Sequence, residues 1–187
     1  MFDSQEEQWF SLWLREATDV GMVIEYKYHP DSIILSERKV KRIQKTYYTK
    51  VRKEQRTKFV DKFLLHPCEY QPDFLVTFTE AFRTAYPNIL IETSIDCYID
   101  IKGAFAGRNN VSAHTFPIKQ KWLYEKYDIF VNKVVPVSFF KKTWVPNDVR
   151  LTSRGKVSKK WKNYPTLHTN PGSSLPTFPS TSATPQS

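Results

Sequence analysis

The sequence predicts an α/β or α+β domain over about residues 1–162, with a mixed β-sheet flanked by helices. Apolar residues recur at helical spacing near the N-terminus and again near residue 120, and β-rich segments lie between and after these regions. The chain has 187 residues, of which 40% are hydrophobic and 25% charged, and this composition supports a packed core. These observations favour one folded domain followed by a C-terminal segment of a different kind.

The first predicted element is a helix that begins after Ser4. Ser4 and Glu7 have the spacing of a capping box, which marks a helix N-terminus. The apolar residues that follow keep helical spacing: Trp9, Phe10, Trp13, Leu14 and Ala17. The helix is expected to end near residues 18–21, where Gly21 can adopt the left-handed conformation.

Four segments before residue 80 are predicted as strands. Residues 22–28 alternate in polarity and stop at His-Pro-Asp, and residues 33–35 form a short strand. Residues 59–65 and 70–78 are also predicted strands, the second of which is opened by Pro72. No element is assigned to the basic segment between the second and third strands.

The remaining elements alternate between helix and strand. Residues 79–88 are expected to make a short excursion with a turn of helix, and residues 89–101 form one long strand or two with a bend. Residues 103–116 are predicted as a polar loop. A helix over residues 117–127 then opens with proline, and a strand over residues 129–137 is interrupted by one.

The last 25 residues, 163–187, differ from the rest of the chain. They contain five prolines, ten serines or threonines and no charged residue. A segment of this composition cannot bury a core, so the tail is expected to be disordered.

The net charge of +9 is concentrated in two basic segments. Residues 38–58 hold ten basic residues and one acid, and residues 141–162 hold eight basic residues and one acid, whereas the rest of the chain has a net charge of −7. Aromatic residues interleaved with these charges offer stacking surfaces: Tyr47, Tyr48, Trp144 and Trp161. The pattern favours nucleic-acid binding over a pair of solvated basic loops.

Composition also argues against several other classes of protein. No apolar run approaches the length that spans a membrane, and the acidic N-terminus lacks the features of a secretory signal, so a cytoplasmic location is expected. Cys68 and Cys97 lack metal-ligand spacing and are expected to be buried free thiols. The four histidines are scattered, which argues against a structural zinc site.

Charged residues interrupt two apolar segments. Asp73 follows Gln-Pro at the start of a predicted strand, and Asp100 and Lys102 lie within Tyr-Ile-Asp-Ile-Lys-Gly. Strand periodicity places Asp100 and Lys102 on one face, and Ile99 and Ile101 on the other. Burial of such charges is costly unless a metal or a partner compensates, and the alternatives are a buried Asp–Lys ion pair or a polar edge strand.

The pattern Pro-Asp … Asp-x-Lys resembles that of the PD-(D/E)xK nuclease superfamily, most closely the phage junction-resolving endonucleases and their relatives. The resemblance covers about residues 4–146 in element order. It implies a restriction-endonuclease-like fold and Mg²⁺-dependent hydrolysis of phosphodiester bonds in DNA, with Mn²⁺ able to substitute. It also implies action in the cytoplasm of a bacterial or phage-infected cell.

The resemblance further implies roles for individual residues. Asp73 and Asp100 would bind Mg²⁺ together with the carbonyl oxygen of Ile101. Lys102 would orient the attacking water or neutralise charge on the phosphate. Glu7 matches the acidic residue that the family carries on its first helix, although a capping role explains it equally well.

Some assignments stay open within the resemblance. Glu6 replaces Glu7 if the helix register shifts by one residue. In this family the helix after the motif often directs a Lys or Gln at the phosphate, and Lys121 is favoured here over Lys119 and Gln120. The long gap between the two motif acids contains Glu92 and Asp96, but neither lies two residues before a lysine.

Three functions follow from these features. The first is a metal-dependent endonuclease that acts on branched DNA, as a homodimer that cuts two strands symmetrically. The second is a nicking, restriction or DNA-end nuclease of the same superfamily. The third is a non-catalytic nucleic-acid-binding protein, which would have no need for charges in an apolar strand. The basic segment 38–58 lies outside the motif and is either a DNA-binding arm or a dimer contact.

Overall fold

The computed structural model describes residues 2–49, 54–91, 96–103 and 111–168. Within these ranges, the elements in chain order are α1 Gln5–Asp19, β1 Val23–Tyr28, β2 Ile33–Ser36, β3 Lys39–Thr49, β4 Glu54–Leu65, β5 Cys68–Tyr70, β6 Phe74–Phe78, α2 Glu80–Ala85, β7 Cys97–Ile101, α3 Val111–Tyr127, β8 Val131–Val134, α4 Pro136–Lys142, α5 Asn147–Arg150 and a 3₁₀-helix, Lys159–Trp161. None of the helices in the described ranges has the length and apolar character needed to cross a membrane.

The central sheet is mixed and has the strand order β1-β6-β7-β8. Strand β6 is antiparallel to both of its neighbours, β1 and β7, whereas β8 runs parallel to β7. The pairing of Phe74 with Ile99 places the start of β6 beside the end of β7. The residues directly before β6 and directly after β7 therefore meet at one end of these two central strands.

Helices cover both faces of this sheet. On one face, α1 buries the stripe that its spacing predicts, namely Phe10, Trp13, Leu14 and Ala17, against β6, β7 and α4. On the other face, Phe116 and Leu123 of α3 pack with Val131 of β8 and with the small β2–β5 sheet. The predicted mixed sheet flanked by helices is confirmed at this level.

The N-terminal prediction is confirmed in detail. The Ser4 side chain caps α1 by accepting a hydrogen bond from the backbone N–H of Glu7 at 3.2 Å. The helix ends at Asp19, and Gly21 has a φ of 71°, a conformation that glycine adopts without the steric cost of a Cβ. Strand β1 follows within the predicted residues 22–28.

The basic segment 38–58 forms most of a long antiparallel hairpin. Strands β3 and β4 pair from Lys39 with Leu65 to Thr49 with Glu54, and residues 50–53 lie outside the described part of the chain. The predicted strand 59–65 is the second half of β4. Nearly every residue of the two strands is exposed, so both faces of the hairpin meet solvent.

Two predicted strands are shorter in the structure. Residues 70–78 divide into β5 and β6, because Pro72 has no N–H to continue the ladder. In the segment 89–101 only Cys97–Ile101 is a strand; residues 89–91 are not, and 92–95 lie outside the description.

The helix over residues 117–127 begins earlier than predicted. Helix α3 starts at Val111, so Pro117 lies inside it, and the predicted loop is wrong for residues 111–116. The rest of that loop from residue 104 lies outside the described residues. Pro136, which was expected to interrupt a strand, instead opens α4, where its fixed φ suits the first helical turn.

The basic segment 141–162 is part of the folded body. Trp144 is fully buried and Trp161 is 3% exposed, so neither ring can stack on a nucleic acid. The predicted stacking role is therefore wrong for both tryptophans. Glu16 of α1 accepts hydrogen bonds from Trp144 Nε1 at 3.0 Å and from the Asn147 N–H at 2.7 Å. These contacts fix the segment on α1.

The tail was predicted to begin at residue 163, and this boundary is too early. The Val145 N–H donates to the Pro165 carbonyl at 3.0 Å, and Tyr164 and Leu167 pack against the main core. Residues 163–168 therefore belong to the folded domain, and residues 169–187 lie outside the description.

Candidate active site

Asp73 and Asp100 are brought together by the pairing of β6 with β7. Asp73 immediately precedes β6, and Asp100 is the penultimate residue of β7. Asp73 Oδ2 accepts a hydrogen bond from the Ile101 N–H at 2.6 Å. In an extended strand the N–H and C=O of one residue point to the same edge, so the Ile101 carbonyl faces the Asp73 side of β7.

Asp100 is a buried carboxylate held by two partners. It is 4% exposed, and its Oδ1 accepts a hydrogen bond from the Tyr70 hydroxyl at 3.0 Å. The Lys102 ammonium forms an ion pair with Oδ2. A carboxylate at this depth needs such partners, because desolvation of an unpaired charge costs several kcal/mol.

The predicted alternation of faces along β7 is confirmed. Ile99 and Ile101 belong to the main core with α1. Asp100 instead contacts Tyr70, which belongs to the second cluster on the α3 side, and Lys102 Nζ lies 5.6 Å from the centre of the Phe116 ring in that same cluster. The two charges therefore share the face that α3 covers.

Asp73 is the group whose protonation the site alters most clearly. Burial raises the pKa of its carboxyl to about 7, and the negative charge of Asp100 acts in the same direction. The hydrogen bond from Ile101 and the charge of Lys102 oppose this rise. Two carboxylates that repel each other in a partly desolvated place are a suitable donor set for a divalent cation with a preference for oxygen.

Tyr70 is a site residue that the sequence analysis missed. Burial and the neighbouring Asp100 carboxylate raise the pKa of its hydroxyl, so the hydroxyl remains a donor to Asp100 across the usual pH range. Its position, three residues before Asp73 on a separate small strand, carries no motif. Only the burial of Tyr70 against Asp100 identifies it.

Glu7 is buried and fully used by the N-terminus of α1. Its carboxylate accepts hydrogen bonds from the Ser4 hydroxyl at 2.8 Å, the Tyr28 hydroxyl at 2.7 Å and the Asp3 N–H at 3.1 Å. The negative charge of Glu7 also contributes to the raised pKa of Asp73. Glu6 approaches the other end of the motif, since a Cβ on Gly103 would lie 3.5 Å from Glu6 Oε1.

The three predicted acids do not converge on one point. Among the described residues, Asp3, Glu7 and His29 are the group that places three possible metal ligands within 4.8 Å of one another. Asp73, Asp100 and Glu7 are not such a group. The geometry therefore separates a pair, Asp73 and Asp100, from Glu7, whose charge acts on Asp73.

The three polar candidates on α3 have different surroundings. Lys121 is exposed and lies 3.7 Å from Glu125 on the same helix. Lys119 Nζ donates to the Glu69 carbonyl at 2.9 Å and lies 6.0 Å from the centre of the Tyr70 ring. Gln120 donates to the Val131 carbonyl at 2.6 Å and lines the cavity that Lys102 also lines. Lys119 therefore lies near Tyr70, the partner of Asp100, and Gln120 shares a cavity with Lys102, whereas the recorded ion pair of Lys121 is with its own helix.

The cavity beside Lys102 has a volume of about 500 Å³. Its polar lining consists of Lys102, Gln120, Asn132 and Lys133, and apolar residues such as Leu90 and Phe116 form the rest. The ion-paired end of β7 therefore borders open space. The rival acid Asp96 is exposed and lies at the other end of β7, and Glu92 lies outside the described residues.

Neither a scan against models of protein families nor searches of curated proteins and of solved structures found a match to this chain. The case for a function therefore rests on the residues of the site and on their geometry. The site consists of a buried, ion-paired Asp100 beside Asp73, whose pKa is raised, at one end of the two central strands of a mixed sheet.

Proposed function

We propose that this protein is a metal-dependent endonuclease that hydrolyses phosphodiester bonds in DNA. The observation that carries the proposal is the placement of Asp73, directly before β6, beside Asp100 on the adjacent strand β7, with Lys102 paired to Asp100. This is the arrangement that the resemblance to PD-(D/E)xK nucleases implies for the motif. It also gives the buried charges on an apolar strand a chemical purpose.

The donor set fits Mg²⁺, which prefers oxygen ligands. Asp73, Asp100 and the carbonyl of Ile101 would hold the ion, and none of the described residues donates a hydrogen bond to Asp73 Oδ1. Bound there, Mg²⁺ would supply positive charge to a scissile phosphate and lower the pKa of a water molecule. Mn²⁺ has the same ligand preference and is expected to substitute.

The protein's own groups have separate tasks in this proposal. The Lys102 ammonium, one-fifth exposed and beside the cavity, neutralises charge that develops on the phosphate and orients the attacking water. Tyr70 is a positioning residue that fixes the Asp100 carboxylate. Glu7 stabilises the N-terminus of α1 and adds negative charge near Asp73.

The proposed substrate is branched DNA, as the resemblance to junction-resolving endonucleases implies. A homodimer would present two equivalent sites, one to each of two strands of a junction. The substrate is tested by incubating the full chain with a labelled four-way junction, a linear duplex and a single strand, each with Mg²⁺ and with EDTA. Preferential cutting of the junction with Mg²⁺ is expected, whereas equal cutting of linear duplex would leave a nuclease without this selectivity.

The site is tested by two variants in the same assay. Asp100→Asn keeps the volume and the hydrogen bond with Tyr70, and Lys102→Ala removes the ammonium. Each is expected to lower the cleavage rate at least about 100-fold while DNA binding persists. Asp100→Asn removes a negative charge that would hold the metal ion, and Lys102→Ala removes a positive charge beside the reacting phosphate. Lys27→Ala, an exposed lysine on β1, is the matched control and should cleave normally.

A different outcome would favour a different class of protein. If the wild type binds DNA tightly but cuts none of the three substrates with any divalent ion, the protein is a non-catalytic nucleic-acid-binding protein. If its products show a preferred sequence or arise at DNA ends, it is a restriction-type or end-directed nuclease of the same superfamily.

A further inference from the structure

The hairpin of β3 and β4 carries its charge on one face. Directly opposed residues of an antiparallel pair have side chains on the same face. Over residues 40–49 and 54–63, the face that we call the cationic face has five basic side chains and one acidic side chain, namely Lys41, Lys45, Arg56, Lys58, Lys62 and Glu54. The opposite face has one basic and one acidic residue, Arg42 and Asp61, which oppose each other.

Two pairs on the cationic face place lysine directly opposite lysine. Lys41 opposes Lys62, and Lys45 opposes Lys58. All four side chains are exposed, and the ion pair that the structure records on this face joins Arg56 to Glu54 at 3.5 Å. Like charges in directly opposed positions destabilise a strand pair. An arrangement that costs stability in the free protein is expected where a polyanion binds.

We propose that the cationic face binds the phosphate backbone of duplex DNA, and that the hairpin thereby grips the substrate of the neighbouring site. The identification of the polyanion as DNA rests on the proposed function. Lysines act as point charges toward phosphates, and contacts with phosphates carry no sequence information directly. The two lysine pairs lie four residues apart, about 13 Å along the strands. The major groove, about 12 Å wide, admits a two-stranded ribbon of this kind.

The aromatic residues of the hairpin argue for duplex over single-stranded DNA. Single strands are held by bases that stack on exposed aromatic rings. The most exposed rings, Tyr48 and Phe59, lie on the opposite face. On the cationic face Tyr47 is covered in part by the Lys58 ammonium, which lies 5.3 Å from the ring centre. The cationic face therefore offers mainly charge, and the aromatic ring that it carries is partly covered.

The proposal is tested by binding measurements in EDTA, in which no cleavage occurs. The affinity of the full chain for a labelled linear duplex is measured by fluorescence anisotropy over a series of salt concentrations. The hairpin variant replaces Lys41, Lys45, Lys58 and Lys62 with Gln. The control variant replaces four exposed lysines of the basic segment 141–162 with Gln and changes the net charge equally: Lys142, Lys156, Lys159 and Lys162.

The hairpin variant is expected to lose the contacts that its four lysines make with phosphates. The slope of log affinity against log salt should fall by about 3 to 4, and the affinity at low salt should fall at least about 100-fold. The control should change the slope by less than about 1. The melting temperature of the hairpin variant should equal or exceed that of the wild type, because the opposed charges are removed.

Equal slopes for the two variants would overturn the proposal, as would tighter binding of single strands than of duplex. Binding of polyglutamate with the same dependence on the four lysines would assign the face to acidic proteins and also overturn it. Cleavage of the junction with Mg²⁺ is measured separately. If the hairpin slope changes as expected but nothing is cleaved, the proposed function fails while the hairpin assignment stands; an unchanged slope with normal cleavage gives the reverse result.

Discussion

At the scale of single residues, Asp100 is held on both sides by groups from other parts of the chain. Tyr70 reaches it from the small sheet, and Lys102 reaches it from the end of its own strand. The acids and the lysine could be predicted from the sequence, because charged residues in an apolar strand stand out. Tyr70 could not, because a tyrosine in a β-rich segment looks the same whether it binds a carboxylate or fills a core.

Removal of the Tyr70 hydroxyl should weaken the site without unfolding the protein. Tyr70→Phe is expected to lower Mg²⁺-dependent cleavage about 10- to 100-fold and to raise the Mg²⁺ concentration needed for half-maximal rate, because Asp100 loses the group that orients it. Tyr86→Phe, at a buried tyrosine of the other core cluster, is the control. If both variants show the same rate and the same Mg²⁺ dependence, Tyr70 has only a packing role.

The raised pKa of Asp73 predicts how the stability of the metal-free protein depends on pH. In the folded protein its carboxyl holds a proton up to about pH 7, whereas in the unfolded chain it releases the proton near its ordinary value of 3.8. Between these values the folded state binds more protons, so this group makes the protein less stable as the pH rises. Asp73→Asn removes that loss. In EDTA it should raise the melting temperature by roughly 3–6 °C at pH 8 and have little effect at pH 4.

Thermal unfolding monitored by circular dichroism at the two pH values is the measurement. Asp31→Asn, at an exposed carboxylate, is the control and should show no difference between them. A variant that is less stable than the wild type at pH 8 would mean that Asp73 stabilises the fold as a carboxylate, contrary to its raised pKa.

At the scale of elements, local signals predicted α1, β1 and β6, because capping residues and polarity patterns act within a few residues. In the basic segment 141–162, the expectation that Trp144 and Trp161 offer stacking surfaces is wrong. Aromatic residues among lysines have the same pattern on an exposed arm as on a segment that buries its rings and leaves its ammonium groups in water. Trp144 and Trp161 do the second, and contacts with α1, distant in sequence, decide it.

Trp144 separates the two interpretations of this segment. Because its ring is fully buried and its Nε1 donates to Glu16, Trp144→Ala should lower the free energy of unfolding by about 3–5 kcal/mol. Trp122→Ala, at a partly exposed tryptophan of α3, should cost much less. Urea denaturation measures both. A Trp144 variant with wild-type stability and reduced DNA affinity would restore the stacking role and contradict the structure.

At the scale of the whole molecule, charge is divided between parts with different tasks. The cationic face belongs to an exposed hairpin, whereas the chain outside residues 38–58 has as many acidic as basic residues. The carboxylates of the site lie at one end of the two central strands of the sheet. The two basic segments were visible in the sequence, but their different fates were not. One forms an exposed hairpin, and the other packs on α1 and buries Trp144 and Trp161.

The most direct test of the central claim is the single-turnover rate at which saturating protein cleaves a labelled four-way junction with Mg²⁺. The wild type and Asp100→Asn are compared under conditions in which binding, measured in EDTA, is equal. We predict cleavage by the wild type, none in EDTA, and a rate at least about 100-fold lower for Asp100→Asn. Equal rates for the two proteins, or cleavage that persists in EDTA, would contradict a metal-dependent site built on Asp100.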